Sequence, residues 1–222
     1  MIPWVHLDSA KIPGGEELRL KRRGEEFSIM LGTNELMNSR LSGSEEALAR
    51  LAIAKIGGQR RPRILIGGLG MGFTLRAALG VLGPDAAVSV AEVVPEVVAW
   101  AKGPMAGVFK GCLDDPRVTV IETDVAEPIR NSEWDAILLD VDNGPDGLSR
   151  AGNDRLYSHA GLSAARNALT QGGVLAVWSA APDRHFAQRL RVTGFAVEEV
   201  KVRAHAGRSG ARHVIWLATK AA

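Results

Sequence analysis

From residue 63 onward, short apolar runs alternate with amphipathic ones. RILIGGL (63–69) is a continuous apolar run that reads as a buried strand, and GFTLRAALGVLG (72–83) follows it with helical spacing. AAVSVAEVV (86–94) is a second strand. PEVVAWAKGPMAGVF (95–109) places a proline at a helix start. RVTVIETD (117–124), WDAILLDVD (134–142) and VLAVWSA (174–180) read as three more strands. SHAGLSAARNALTQGG (158–173) reads as a helix stopped by glycines, and DRHFAQRLRVTG (183–194) as another helix. FAVEEVKVRA (195–204) and ARHVIWLATK (211–220) form a final antiparallel pair. Alternation of strand and helix implies right-handed crossovers, hence an α/β fold with a doubly wound, Rossmann-like, mostly parallel sheet and an antiparallel C-terminal edge strand.

Before residue 63 the period changes. LRLKR (18–22) alternates apolar and polar, GEE (24–26) can turn, and FSIML (27–31) continues as a second strand, so the pattern predicts a small N-terminal β-hairpin. SGSEEALARLAIAKIG (42–57) carries a serine cap at Ser42 or Ser44, early glutamates and a closing Gly57, and reads as a helix. The division is a hairpin and helix over 1–58, then a Rossmann-like domain over 59–222.

Composition narrows the class. At 222 residues, 46% hydrophobic and 23% charged, the chain can bury a core that needs no staples. The single cysteine, Cys112, excludes an internal disulfide framework and a cysteine metal cluster. The first 17 residues have no apolar h-region and no run reaches membrane-span length, so the expectation is a cytoplasmic protein with no membrane partner. A net charge of +2 is too small to argue for nucleic acid, although basic residues cluster at 21–23, 59–63 and 201–213. The exposed hairpin and Trp4 point to a homodimer.

Candidate chemistry sits where strands end, because ligands of open α/β sheets bind beyond the carboxyl ends of the strands. Gly68, Gly70 and Gly72 stand between a strand and a helix, where glycine permits positive φ and close backbone approach. The third position of a dinucleotide fingerprint holds Phe73 instead of glycine. Glu92, about 20 residues on, can accept hydrogen bonds from both hydroxyls of a ribose. Asp124 can meet the exocyclic amine of an adenine, cap the helix that follows, or do both. Asp140, Asp142, Asn143 and Asp146 crowd a Pro/Gly turn. Carboxylates so close can attract a cation and accept a proton from an attacking amine, or simply build an Asx-rich turn. No P-loop, no nucleophile elbow and no metal-ligand spacing of His or Cys is present.

Together these motifs resemble the spermidine synthases, the polyamine aminopropyltransferases, whose fold is that of the S-adenosylmethionine-dependent class I methyltransferases. GLGMGFTLR (68–76) is similar to the family's G-G-G-D-G-G-T-L-R, AEVVPEVV (91–98) to its V-E-x-D-x-x-V-V, and LDDPRVTVIETD (113–124) to its L-D-D-P-R-V run. WDAILLDVDNGP (134–145) looks like its Y-D-x-I-I-x-D-S-S-D-P. MLGTNELMNSRLSGSEEALA (30–49) lies without gaps on its L-D-G-x-x-Q-L…Y-H-E-x-L-A segment. The resemblance implies S-adenosylmethionine or its decarboxylated form as co-substrate, held by Gly68, Gly70, Met71, Gly72, Glu92, Val93, Asp124 and Val125. It implies Asp140 as the carboxylate that deprotonates a small-molecule amine, with Asp142, Asn143, Tyr157 and Glu35 toward that amine. The chain departs from the family at Met71 (an Asp that contacts the aminopropyl amine), Asn143 (the second Asp of D-x-x-D), Glu35 (a Gln), and Ser44 and Glu45 (a Tyr-His pair of the acceptor pocket). Three readings stay open: aminopropyl transfer, methyl transfer from S-adenosylmethionine, and a non-catalytic relative.

Overall fold

The computed structural model describes residues 2–141, 155–204 and 212–221. Seven strands make the large sheet: β5 (Arg63–Gly67), β6 (Ala87–Glu92), β7 (Val118–Glu122), β8 (Trp134–Leu139), β9 (Leu169–Ser179), β10 (Phe195–Arg203) and β11 (Arg212–Lys220). Their order is β10-β11-β9-β8-β5-β6-β7. β7, β6, β5, β8 and β9 pair in parallel; β11 runs antiparallel to both β9 and β10. Every residue of central β8 is buried, as a parallel strand covered on both faces requires.

Helices cover both faces. They are α1 (Gly43–Ile56), α2 (Phe73–Leu79), α3 (Pro95–Lys102), α4 (Ala106–Phe109), α5 (Ala126–Asn131), α6 (His159–Ala168) and α7 (Arg184–Val192). One apolar cluster, holding Leu48, Ile66, Val98 and Met105, lies on one face. A second, holding Leu65, Ile137, Tyr157, Phe186 and Trp216, lies on the other. None of the described helices is long and apolar enough to cross a membrane.

The C-terminal pair forms the expected antiparallel edge: β11 lies between β9 and β10 and pairs antiparallel with both, leaving β10 outermost. β11 takes the inner place because Val214 through Ala218 are all buried, and an edge position would expose a ladder of apolar residues. Two expectations are corrected. The N-terminal unit is not one hairpin but a four-stranded antiparallel sheet, β1 (Val5–Lys11), β2 (Glu17–Arg23), β3 (Glu26–Leu31) and β4 (Asn34–Asn38). β1 lies at an edge with most side chains exposed, so it carries no apolar alternation to read. Finally, TQGG does not stop a helix: α6 ends at Ala168, and β9 begins at Leu169 opposite Trp134, with an irregularity before Val174 opposite Ala136 that accommodates Gly172 at φ +75°.

The small sheet is welded to the large unit. Leu20, Ile29 and Leu31 belong to the same apolar cluster as Ile66 and Val98, and Trp100 Nε1 donates to Asp8 Oδ2 at 2.7 Å. It therefore roofs the carboxyl ends of β5, β6 and β8.

Candidate functional site

The loop after β5 is shaped by what presses on it. Gly68 has φ +90°, and a Cβ there would fall 2.6 Å from the Asp140 carbonyl oxygen; at Gly72 (φ +73°) it would fall 2.5 Å from the Phe109 ring. Only glycine fits either place. Gly68 N–H donates to Ala91 O (2.9 Å) and Asp140 N–H to Gly67 O (3.0 Å), so the ends of β5, β6 and β8 are knitted together.

This knot divides a cleft under the small sheet into two adjoining compartments. Gly68, Gly70, Ala91, Glu92, Val93, Thr123, Asp124, Val125 and Asp140 line the larger one from the strand ends, and Ile12, Leu18, Ile29, Leu36 and Met37 close it from the roof. Glu92 is buried at the end of β6. Its Oε2 accepts from Leu69 N–H (3.0 Å) and its Oε1 from Val94 N–H (2.9 Å). Burial pushes its carboxyl above the ordinary range, and the surrounding backbone amides pull the other way. The carboxylate lines the cleft while these amides hold it at the end of β6. Asp124 Oδ1 accepts from Ala126 N–H (3.0 Å), which caps the start of α5 while the residue still lines the cleft. Val93 and Val125 add apolar wall to this compartment.

The second compartment is more polar. Gly70, Met71 and Gly72 form one side, Leu36, Met37 and Asn38 the roof, and Glu45, Phe73, Asp140 and Trp178 the rest. Asp140 borders both compartments. Its Oδ2 accepts from Thr74 Oγ1 at 2.6 Å. Burial chiefly, and then the facing Glu45 carboxylate, raise its pKa to about 7 against the opposing Thr74 bond. Burial raises Glu45 as well, with the Ser44 hydroxyl opposing it at 2.7 Å from Oε2. A carboxyl that titrates near neutrality beside a cleft is suited to taking a proton from an amine.

Of the residues singled out in the sequence, Gly68, Gly70, Glu92, Val93, Asp124, Val125 and Asp140 meet at the larger compartment; Gly70, Met71, Gly72 and Asp140 meet at the second. Met71 is only 4% exposed and belongs to the apolar core, so the loop presents no carboxylate there. Asp142 and Asn143 lie outside the described residues.

Two residues stand elsewhere. Glu35 lines neither compartment but accepts from Ser28 Oγ (2.8 Å) and pairs with Arg40 (3.3 Å). The cause is a bulge: Met37 pairs with Ile29 and Glu35 with Met30, so Leu36 is extra, the alternation resets, and Leu36 and Met37 face the cleft instead. Tyr157 also lines neither compartment. It is a core residue, 1% exposed, edge-on to Phe186, with its hydroxyl donating to Val141 O at 3.3 Å.

Sequence reasoning missed Thr74 and Trp178. Thr74 was within reach, because it stands in the first turn after the glycine loop, whereas nothing local marks Trp178. Glu45 was noted only as a departure from the family's acceptor-pocket pair, with no role of its own.

No protein-family model matches the chain, and no curated protein matches its sequence. Solved structures do match its fold. The spermidine synthase from Thermotoga maritima superposes with a TM-score of 0.73 at 19% identity, over 97% of this chain and 72% of that one. A spermidine synthase in complex with the transition-state analogue AdoDATO gives the same figures. A precorrin-6y C5,15-methyltransferase from Geobacter metallireducens matches with a TM-score of 0.54 at 16% identity, over 77% of this chain and 86% of that one. The chain therefore has the class I methyltransferase-type fold that spermidine synthases and methyltransferases share.

Proposed function

We propose that this chain is an aminopropyltransferase-like enzyme that binds decarboxylated S-adenosylmethionine in the larger compartment and an amine in the second. The observation that carries the reading is the charge of the second compartment. Its wall holds the carboxylates Asp140 and Glu45, and among the described residues lining it there is no Lys or Arg. Such a site favours ammonium groups and disfavours the carboxylate that S-adenosylmethionine carries at its amino-acid end.

In the reaction, the amine nitrogen attacks the methylene carbon beside the sulfonium. A C–N bond forms, the C–S bond breaks with its electron pair passing to sulfur, and neutral methylthioadenosine leaves. The attacking nitrogen gives up one proton, and Asp140, at the junction of the compartments, is placed to take it. Glu92 would hold the ribose hydroxyls, with Asp124 and Val125 at the adenine. The competing reading is methyl transfer; the observation in its favour is Met71, which removes a negative charge from the loop that would face the cofactor's carboxylate.

Calorimetric titration separates the two. The decarboxylated form is expected to bind at least roughly tenfold more tightly than S-adenosylmethionine, from avoided charge repulsion worth about 1.4 kcal/mol or more. Equal or tighter binding of S-adenosylmethionine would overturn aminopropyl transfer.

A further inference from the structure

The second compartment is backed by a chain of hydrogen bonds that the reaction above does not use. It begins at the start of α1, which is pinned to the sheet. Gly43 N–H donates to Ala204 O at 3.0 Å, and a Cβ at Gly43 would come within 3.0 Å of the Arg203 carbonyl oxygen. This close approach sets Ser44 against β11. Ser44 is fully buried, its Oγ lies 2.9 Å from His213 Nδ1, and it donates to Glu45 Oε2 at 2.7 Å. A hydroxyl has one proton to give. With that proton on the bond to Glu45, the His213 bond must run the other way, from Nδ1–H to Ser44 Oγ.

The result is a one-way relay, His213 Nδ1–H to Ser44 Oγ–H to Glu45 Oε2, with each donor pointing toward the carboxylate. The imidazole is fixed edge-on against Trp178, with ring centroids 4.8 Å apart, and burial holds its pKa below the ordinary histidine value, so it serves as a neutral donor. Among the described residues Ser44 supplies the side-chain donor to Glu45, and the backbone amides of Ser44 and Glu45 add to it. Trp178 lines the compartment together with Glu45.

The two carboxylates differ in position. Asp140 borders both compartments, whereas Glu45 borders only the second, away from the nucleoside side. Leu36, Met37 and Phe73 line the same compartment and give it apolar wall suited to methylene groups. We propose that Glu45, positioned by the Ser44–His213 relay, selects the acceptor in this chain by binding an ammonium group remote from the reacting nitrogen. Asp140 serves the reacting nitrogen itself. The assignment rests on the aminopropyl-transfer reading, and it makes Glu45 a specificity residue with Ser44 and His213 as positioning residues.

The test uses full-length protein saturated with methylthioadenosine and compares 1,4-diaminobutane with butylamine, which lacks the remote charge. Wild type is expected to prefer the diamine. Glu45→Gln is expected to lose roughly 10- to 100-fold in diamine affinity, the range of a charge-assisted hydrogen bond, and so to close the gap between the two amines. Glu45→Asp should restore part of the preference. In turnover assays with decarboxylated S-adenosylmethionine in place of methylthioadenosine, Ser44→Ala, which keeps the charge but cuts the relay, should raise KM for the diamine with little change in kcat. A Glu45→Gln protein that binds methylthioadenosine and still prefers the diamine as wild type does overturns the assignment alone, as does equal loss of diamine and butylamine binding in all three variants. Wild-type protein that does not bind methylthioadenosine overturns the transfer reading and Glu45's role with it.

Discussion

Replacing Asp140 by Asn is expected to lower turnover by roughly 10²- to 10⁴-fold, the usual contribution of a general base, while making the unliganded protein more stable above neutral pH. Both effects come from one carboxyl. Burial and the Glu45 charge raise its pKa to about 7 from the ordinary 3.8. The folded state therefore holds the proton more tightly than the unfolded chain does. Unfolding free energy falls as pH rises from about 4 to about 7, and above that range the full penalty of the desolvated charge is present. Asn carries no such charge, and its amide oxygen can still accept the Thr74 hydroxyl that Asp140 accepts at 2.6 Å. At pH 8 the variant should gain roughly 2–4 kcal/mol, and near pH 4 it should gain little. In the wild type, kcat/KM should rise through about pH 7 as Asp140 ionises. Calorimetric unfolding at the two pH values checks the sign; equal gains at both would contradict the assignment.

Glu92→Gln should weaken methylthioadenosine binding by at least roughly 100-fold and destabilise the fold by about 1–3 kcal/mol. The carboxylate accepts two backbone N–H groups, from Leu69 and from Val94, one on each oxygen. Glutamine has one oxygen and one NH₂, so an amide N–H is left facing a donor in a buried place. The loop carrying Leu69 then loses the tie that sets it against β6, and the ribose loses its acceptor. Thermal unfolding and a methylthioadenosine titration read the two effects separately. Wild-type affinity in a destabilised variant would show that Glu92 only holds the loop.

Much of this arrangement was written in the chain in readable form. Parallel strands buried on both faces leave unbroken apolar runs, which is why RILI and AILL stood out and why their carboxyl ends could be located. Glu92, Asp124 and Asp140 then converge because the topology of an open α/β sheet brings those ends together. What stayed hidden depends on partners distant in sequence. Ser44 and Glu45 look like a capping serine and a first-turn acid, and only the docking of Gly43 on Ala204 shows that Ser44 is set against β11. His213 gave no local sign of its bond to Ser44. Glu35 was assigned toward the amine by resemblance, and the bulge at Leu36 that turns Leu36 and Met37 to the cleft instead is invisible in the apolar pattern. Tyr157 was placed by likeness of a short segment, and its ring went to the core, where an aromatic of that size gains most from burial.

The most direct test of the account is the product formed when purified protein is incubated with decarboxylated S-adenosylmethionine and 1,4-diaminobutane. The account predicts methylthioadenosine and one equivalent of aminopropylated amine for each co-substrate consumed. No methylthioadenosine with any of a panel of amines, or S-adenosylhomocysteine formed from S-adenosylmethionine, would contradict it.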